Sequence, residues 1–339
     1  MVNKILVVGA GFSGSVVARK LAEAGYIINI IDARNHLGGN AFDYVNDLGI
    51  RIHKYGPHLF HTNNKSVFDF LSQFTEWIPY KHKVKAMLSN GDLVTLPINR
   101  ETKEIVGEEN LIETFIRPYS EKMWGMKLEE LSNEIINRVP IRNDDNEFYF
   151  PNDEFQFMPK DGYIKLFENL LNHKNISINL SCTFTKEMED EYFHIFNSSA
   201  IDEYYNFKFG ALPYRSLKFN HVNLPLSQLF PVAQVNFTND SPYTRIIEWK
   251  NIPNSGVNSI FTSLTYEEPC SYIENNNERY YPVKDFKGLN RQKYLKYSKI
   301  INNKMTFIGR LGQYVYLDMH QCVNNALIIS DKFVKKHTI

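Results

Sequence analysis

Lys4-Ile5-Leu6-Val7-Val8-Gly9-Ala10-Gly11-Phe12-Ser13-Gly14 leads directly into a helix-like run that continues to about Ala24. An apolar strand, a Gly-x-Gly-x-x-Gly turn and a helix start together make a cradle for a pyrophosphate. The first glycine permits the tight turn, the second lets backbone approach the phosphates, and the third lets helix and strand close up. A second apolar strand, Tyr26 to Ile31, ends at Asp32, 18 residues beyond Gly14. An acid at that distance is placed to meet ribose hydroxyls. Strand, glycines, helix and acid in this order predict a bound dinucleotide; the plainer alternative is a Gly-rich turn in an α/β core. Ser13, Arg19 and Glu23 interrupt the apolar stretch, which argues against a secretory signal.

The remaining composition excludes several classes. A chain of 339 residues suffices for two or three substructures around a sizeable core. Basic and acidic residues balance at 38 each, whereas proteins that hold nucleic acid present basic faces, so nucleic acid is not expected as the main partner. That balance still allows a few arginines focused in one cleft. No run of about 18 apolar residues occurs, so no membrane span is expected. Cys182, Cys270 and Cys322 are odd in number and far apart; they form neither a disulfide framework nor a zinc site, which suits a reducing cytoplasm and a protein without metal. Aromatic residues make up 14% of the chain, an excess that suits a pocket for flat rings.

Further along, Gly38-Gly39-Asn40 follows Asp32 closely enough to let backbone run beside a ligand. Gly49 to His61 reads as a short strand leading into a rigid loop, Tyr55-Gly56-Pro57-His58, and Asn64 to Phe74 as an amphipathic helix. Lys83 to Pro97 carries Asn90-Gly91 between two alternating runs, a strong hairpin signal. Residues 101–135 have helical patterning, and Pro140 to Pro159 reads as aromatic and irregular. A helix is expected from Tyr163 to Leu171 and a strand from Ile176 to Leu180. Beyond about residue 205 the runs at 215–219, 233–237, 244–249 and 259–263 predict a mostly antiparallel sheet. A strand at Met305 to Ile308, a turn at Gly309-Arg310 and a helix from Met319 to Lys335 would rejoin the nucleotide-binding unit.

Several of these segments, taken in order, resemble the UDP-galactopyranose mutase family: Gly9 to Gly14, Gly38 to Asn40, Tyr55 to Thr62, Tyr119 to Gly125, Arg138 to Arg142, Tyr214 to Phe219, Tyr243 to Glu248, Tyr280 to Val283, and Gly309 through His320. The resemblance implies an α/β fold: a Rossmann-type FAD-binding domain, a small helical domain and a mostly antiparallel β-sheet substrate domain. The implied division is 1–82, 160–205 and 303–339 for the FAD-binding domain, 100–138 for a shortened helical domain, and 83–99, 139–159 and 206–302 for the sheet domain. It also implies FAD, active when reduced, and a redox-neutral isomerisation of a nucleotide-diphosphate sugar through a covalent flavin N5–sugar adduct. UDP-galactopyranose to UDP-galactofuranose is the first expectation; dTDP-fucopyranose and an N-acetylated UDP-galactopyranose are the alternatives. An external reductant is implied. A homodimer is possible, its mode open because the helical region is short.

Residue roles follow from the same resemblance. Arg138 and Arg245 match the two diphosphate-binding arginines, whose rigid forks pair with phosphate and stay charged when desolvated. With His58 they form the expected catalytic set. His58 is expected beside the isoalloxazine ring, with a buried structural histidine as the competing view. Phe115, Tyr119 and Trp124 are expected around base and sugar. Tyr149, Tyr281, Tyr316 and Arg310 complete the expected substrate contacts. Cofactor contacts are expected from Gly9, Gly11, Phe12, Ser13, Gly14, Asp32, Arg34, Gly39, Asn40, His58, Leu59, Arg310, Asp318 and Met319. Pro118, Trp249 and the run Glu267 to Asn277 depart from the family's usual pattern. Two other classes share the cofactor fold: flavin amine oxidases or desaturases, and non-enzymatic binding proteins such as the Rab escort family.

Overall fold

The computed structural model describes residues 4–132, 140–256, 258–300 and 302–337. Five strands form an all-parallel sheet in the order Ile176–Leu180, Ile27–Asp32, Lys4–Val8, His194–Asn197, Met305–Phe307. The apolar run at the start of the chain follows from burial on both faces. Ile5 and Val7 pack into the main core with Val16, Val17 and Leu21, while Leu6 and Val8 pack on the other face against Tyr192, Ile195 and Met305. Helix Phe12–Glu23 packs against the long terminal helix Met319–His337.

A seven-stranded sheet stands apart, in the order Tyr281–Pro282, Tyr214–Leu224, Thr262–Ser271, Arg245–Glu248, Gln234–Phe237, Val84–Met87, Leu93–Leu96. Its pairs are antiparallel except Gln234–Phe237 beside Val84–Met87, which run parallel. The Asn90-Gly91 hairpin forms as expected, with Gly91 in the positive-φ conformation (φ +91°) that such turns require. Helix Arg100–Val106, a π-helical turn Ile112–Ile116 and helix Arg117–Trp124 pack on this sheet. Pro118 falls in the first turn of that last helix, where its missing N–H costs nothing.

Some expectations need correction. Phe155–Pro159, expected to be irregular and to belong with the sheet domain, pairs with Phe60–Thr62 and Trp77–Pro79 in a separate three-stranded sheet. The cause is aromatic packing: Phe155 and Phe157 stack on Phe68 at 4.5 and 5.1 Å, and Met158 is buried on the other side. His194–Asn197, which no sequence pattern announced, is a central strand of the parallel sheet. The strand expected at 259–263 begins at Thr262 and runs to Ser271, so Glu267 to Cys270 lie in the sheet. Helix Leu289–Ser298 likewise falls in the stretch expected to be strands. Trp249 is fully buried between the large sheet and the cofactor unit: its Nε1 donates to Thr265 Oγ1 at 2.7 Å and its ring lies 4.9 Å from that of His53.

Candidate functional site

Each glycine of the first turn has its own reason to be glycine. Gly9 has φ +100°. A Cβ on Gly14 would sit 1.9 Å from the Gly9 carbonyl oxygen, so helix and strand could not close. A Cβ on Gly11 would clash with nothing; its nearest neighbour is Gly39 Cα at 3.6 Å. It would instead occupy the cradle between the turn and the Gly38–Asn40 loop. Gly11 caps helix Phe12–Glu23, which has no acidic side chain in its first turn. The positive end of that helix is thus left to an incoming anion.

Asp32 ties the cradle together. Its Oδ2 accepts from the Ala10 N–H at 2.8 Å and its Oδ1 from the Arg34 N–H at 2.9 Å. A carboxylate has about four acceptor positions, so capacity remains for ribose hydroxyls. The cavity enclosed here has a volume of about 770 Å³. Of the residues expected to contact the cofactor, Gly9, Gly11, Phe12, Ser13, Gly14, Asp32, Arg34, Gly39, Asn40, His58, Arg310 and Met319 border it. Leu59 and Asp318 do not. Leu59 packs into the main core, and Asp318 precedes the terminal helix, where its N–H donates to Gln321 Oε1 at 2.8 Å and its carbonyl accepts from the Cys322 N–H at 2.9 Å.

His58 has a defined protonation. Its Nδ1 lies 2.9 Å from the Gly56 carbonyl oxygen, which can accept but not donate, so Nδ1 carries the hydrogen and Nε2 is the acceptor. The His58 N–H in turn donates to His53 Nδ1 at 3.0 Å. Burial, reinforced by His53, Arg310 and Arg245, pushes the His58 pKa down to about 3. The imidazole is therefore neutral.

A second, narrower cavity of about 140 Å³ adjoins the first. Phe115, Tyr119, Trp124, Tyr149, Arg245, Tyr281 and Tyr316 border it, bringing together most of the expected substrate residues. Arg138 lies outside the described residues. Arg310, also expected here, borders the dinucleotide cavity instead and closes the junction between the two. Its Nε donates to the Leu317 carbonyl at 2.6 Å, and its guanidinium lies 5.6 Å from the Tyr281 ring and 4.9 Å from that of Tyr316. Tyr281 and Tyr316 are themselves stacked at 5.6 Å.

Sheet register sets the polar floor of this cavity. Asn236, Arg245 and Glu267 stand opposite one another on three adjacent strands. Arg245 Nε donates to Glu267 Oε2 at 2.6 Å. Burial opposes the charge on Arg245, but Glu267, with Tyr119 and Tyr281, outweighs it and holds the pKa above its ordinary value. Burial pushes the Glu267 carboxyl up, and Arg245 opposes that shift. Gln234 Nε2 donates to Asn236 Oδ1 at 2.9 Å, which turns the Asn236 amide nitrogen away from Gln234.

Helix Arg117–Trp124, which carries Tyr119 and Trp124, is pinned to the sheet. Lys122 Nζ donates to the carbonyls of Phe237, Asn239 and Tyr243 at 3.2, 2.9 and 3.0 Å. Arg215 Nε donates to the Met123 carbonyl at 2.8 Å. Lys122, Gln234, Asn236 and Glu267 escaped the sequence reading of the site. Polar residues two apart in the otherwise apolar strand at 234–236 were the available signal for the amide pair. Among the described residues no group of His, Cys, Asp and Glu is placed to hold a metal, and no helix is long and apolar enough to cross a membrane.

Residues 114–316 match the sequence model of the family described as UDP-galactopyranose mutase, and residues 7–74 match an NAD(P)-binding Rossmann-like domain. A probable UDP-galactopyranose mutase of Klebsiella pneumoniae is 36% identical, over 98% of this chain and 96% of its own. The dTDP-fucopyranose mutase of Escherichia coli is 33% identical over 99% of each chain. A UDP-galactopyranose mutase of Mycoplasma genitalium is 32% identical over 94% of this chain and 92% of its own. Among solved structures, a reduced UDP-galactopyranose mutase superposes with a TM-score of 0.74 at 15% identity, covering 100% of this chain and 95% of that one. A putrescine oxidase superposes with a TM-score of 0.58 at 11% identity, covering 99% of each chain, so the architecture is shared with an oxidase.

Proposed function

The chain belongs to the UDP-galactopyranose mutase family, and from that premise we propose that it is a flavin-dependent isomerase interconverting UDP-galactopyranose and UDP-galactofuranose. The junction of the two cavities supports this most directly. Arg310 borders the dinucleotide cavity while its guanidinium faces Tyr281 and Tyr316, which border the other. A ligand in the narrow cavity therefore ends beside the cofactor. The cradle at Gly9 to Gly14, with its open space beside Gly11 and the acid at Asp32, fits a dinucleotide. FAD is the dinucleotide proposed.

When bound and reduced, the flavin supplies an electron-rich ring nitrogen to the anomeric carbon of the sugar. The chain does the rest. Arg245, with Arg138, meets the diphosphate as it gathers charge on leaving, in a site with little water. The hydroxyls of Tyr149, Tyr281 and Tyr316 serve the same oxygens, and Phe115, Tyr119 and Trp124 hold base and sugar. Neutral His58 offers an acceptor nitrogen, not a charge, at the cofactor. The domain division read from the sequence is kept, with residues 155–159 moved to the cofactor unit.

A second substrate has a specific observation behind it: the dTDP-fucopyranose mutase of Escherichia coli matches the whole chain almost as closely as the Klebsiella pneumoniae relative. The test is chromatography of dithionite-reduced protein incubated separately with UDP-galactopyranose, dTDP-fucopyranose and UDP-N-acetylgalactosamine. A furanose product from UDP-galactopyranose is expected. No furanose from any of the three would refute the proposal.

A further inference from the structure

The run from Glu267 to Asn277 ends in a segment that leaves its own sheet. After strand Thr262–Ser271 the chain makes one turn at Tyr272–Asn275. Asn276 and Asn277 then take the left-handed backbone conformation (φ 51° and 62°), and the chain crosses to the dinucleotide cavity. Asn276, Asn277, Glu278, Arg279 and Tyr280 all border that cavity.

Glu278 and Arg279 carry opposite charges, and each meets its opposite on the cofactor unit. Glu278 Oε2 accepts from Arg34 Nη2 at 2.7 Å. Arg34 is itself fixed: it donates to Asn40 Oδ1 at 2.9 Å and lies 4.3 Å over the Tyr55 ring. Arg279 Nη1 donates to Glu203 Oε2 at 3.0 Å, and its guanidinium lies 4.7 Å over the Tyr272 ring. The Arg279 side chain is 9% exposed, and its Nε has no hydrogen-bond partner among the described residues. Two residues beyond Arg279, Tyr281 is the one stacked on Tyr316 in the substrate cavity.

We propose that Asn276–Tyr280 is a latch over the Asp32–Arg34 end of the bound dinucleotide, held shut by the crossed ion pairs Glu278–Arg34 and Arg279–Glu203. The proposal rests on the flavin reading above. Asp32 marks this as the ribose end of the site, so the latch covers the adenosine half of the cofactor. The Glu278–Arg34 pair is partly exposed, at 41% and 22%, and such pairs contribute little alone. Arg279 is more enclosed, so reversing it strands a charge away from water. The two pairs have opposite polarity, so a segment shifted by one residue would set like charges against each other. Cofactor release requires both pairs to part.

The test follows flavin release from the holoprotein by recovery of flavin fluorescence on dilution. Variants are Glu278→Arg, Arg279→Glu, and the exchange Glu203→Arg/Arg279→Glu. Glu278→Arg should release flavin about fivefold faster, and Arg279→Glu at least about tenfold faster. The exchange should recover part of the Arg279→Glu loss. Melting of flavin-free protein controls for folding. Release within about twofold of the unaltered rate in both reversals, or an exchange that restores melting and not flavin retention, would overturn the latch. An unaltered protein that takes up no flavin would instead refute the cofactor reading, and the latch with it.

Discussion

Arg245 and Glu267 face each other across neighbouring strands, joined by a 2.6 Å hydrogen bond, with the carboxylate 1% exposed. The sheet itself supplies the arginine's counter-charge, so the guanidinium is held in place before any diphosphate arrives. Arg245→Ala should lower turnover by about 100- to 1,000-fold, since it removes a group aimed at developing charge. The buried carboxylate it leaves unpaired should cost about 3–5 kcal/mol of stability. Arg245→Ala/Glu267→Ala should regain much of the melting temperature and none of the turnover. Recovery of turnover in the double variant would contradict the assigned role. Arg138→Ala should reduce turnover similarly, with flavin still bound.

The glycines at 11 and 14 should fail differently. Gly14→Ala places a Cβ 1.9 Å from a backbone oxygen and should prevent stable folding. Gly11→Ala meets nothing closer than 3.6 Å and should fold, but with its methyl group in the cradle. Melting and flavin absorbance of the two variants separate these outcomes; a Gly11→Ala protein with normal flavin content would show that the cradle lies elsewhere.

Four enclosed histidines link stability to pH. Desolvation holds His53, His58 and His82 each at a pKa of about 3, and His194 at about 4, in the folded protein. Unfolded, each takes up a proton near pH 6.5. Folding to the neutral forms therefore contributes stability above about pH 6.5, which is lost progressively as pH falls towards 3. Between pH 6.5 and 5.5 the loss should be on the order of 1 kcal/mol per histidine. Urea unfolding at the two pH values measures it, and His82→Gln should reduce the slope by at most about a quarter. No activity limb between pH 5 and 8 should belong to His58.

Lys122 spends its three hydrogens on three carbonyls of the segment 237–243. Lys122→Met leaves those carbonyls without their donor and frees helix Arg117–Trp124 from the strand that carries Arg245. The expected result is a several-fold rise in KM for the nucleotide sugar, with flavin content unchanged; each lost bond to a charged donor contributes about 1.5–3 kcal/mol. An unchanged KM would mean that the helix holds its place by apolar packing alone.

The sequence announced the cradle because its constraints are local: Gly9, Gly11 and Gly14 act within one turn, and Asp32 at the end of the adjoining strand. The same holds for the Asn90-Gly91 hairpin. His194–Asn197 was not legible, because four residues bearing His and Asn do not read as a central strand. They become one when burial between Lys4–Val8 and Met305–Phe307 supplies the apolar surroundings. Phe155–Pro159 was hidden for a similar reason: its pairing depends on Phe68 and Trp77, about 80 residues away in sequence. Glu267 and Lys122 act through strand register and a helix-to-loop contact, which no spacing in the chain encodes. Arg310 was expected at both cofactor and substrate, and the spacing around it could not show on which side of the Tyr281–Tyr316 pair it would fall.

The position of Arg310 ties two binding equilibria together. One guanidinium, anchored by the Leu317 carbonyl, borders the dinucleotide cavity and lies against Tyr281 and Tyr316, which border the other. Any displacement that either guest imposes on it is felt by the other, and thermodynamic reciprocity makes the coupling equal in both directions. Stripped of its prosthetic group, the protein should grip nucleotide sugars with altered strength, and saturating sugar should change the hold on the prosthetic group by the same factor.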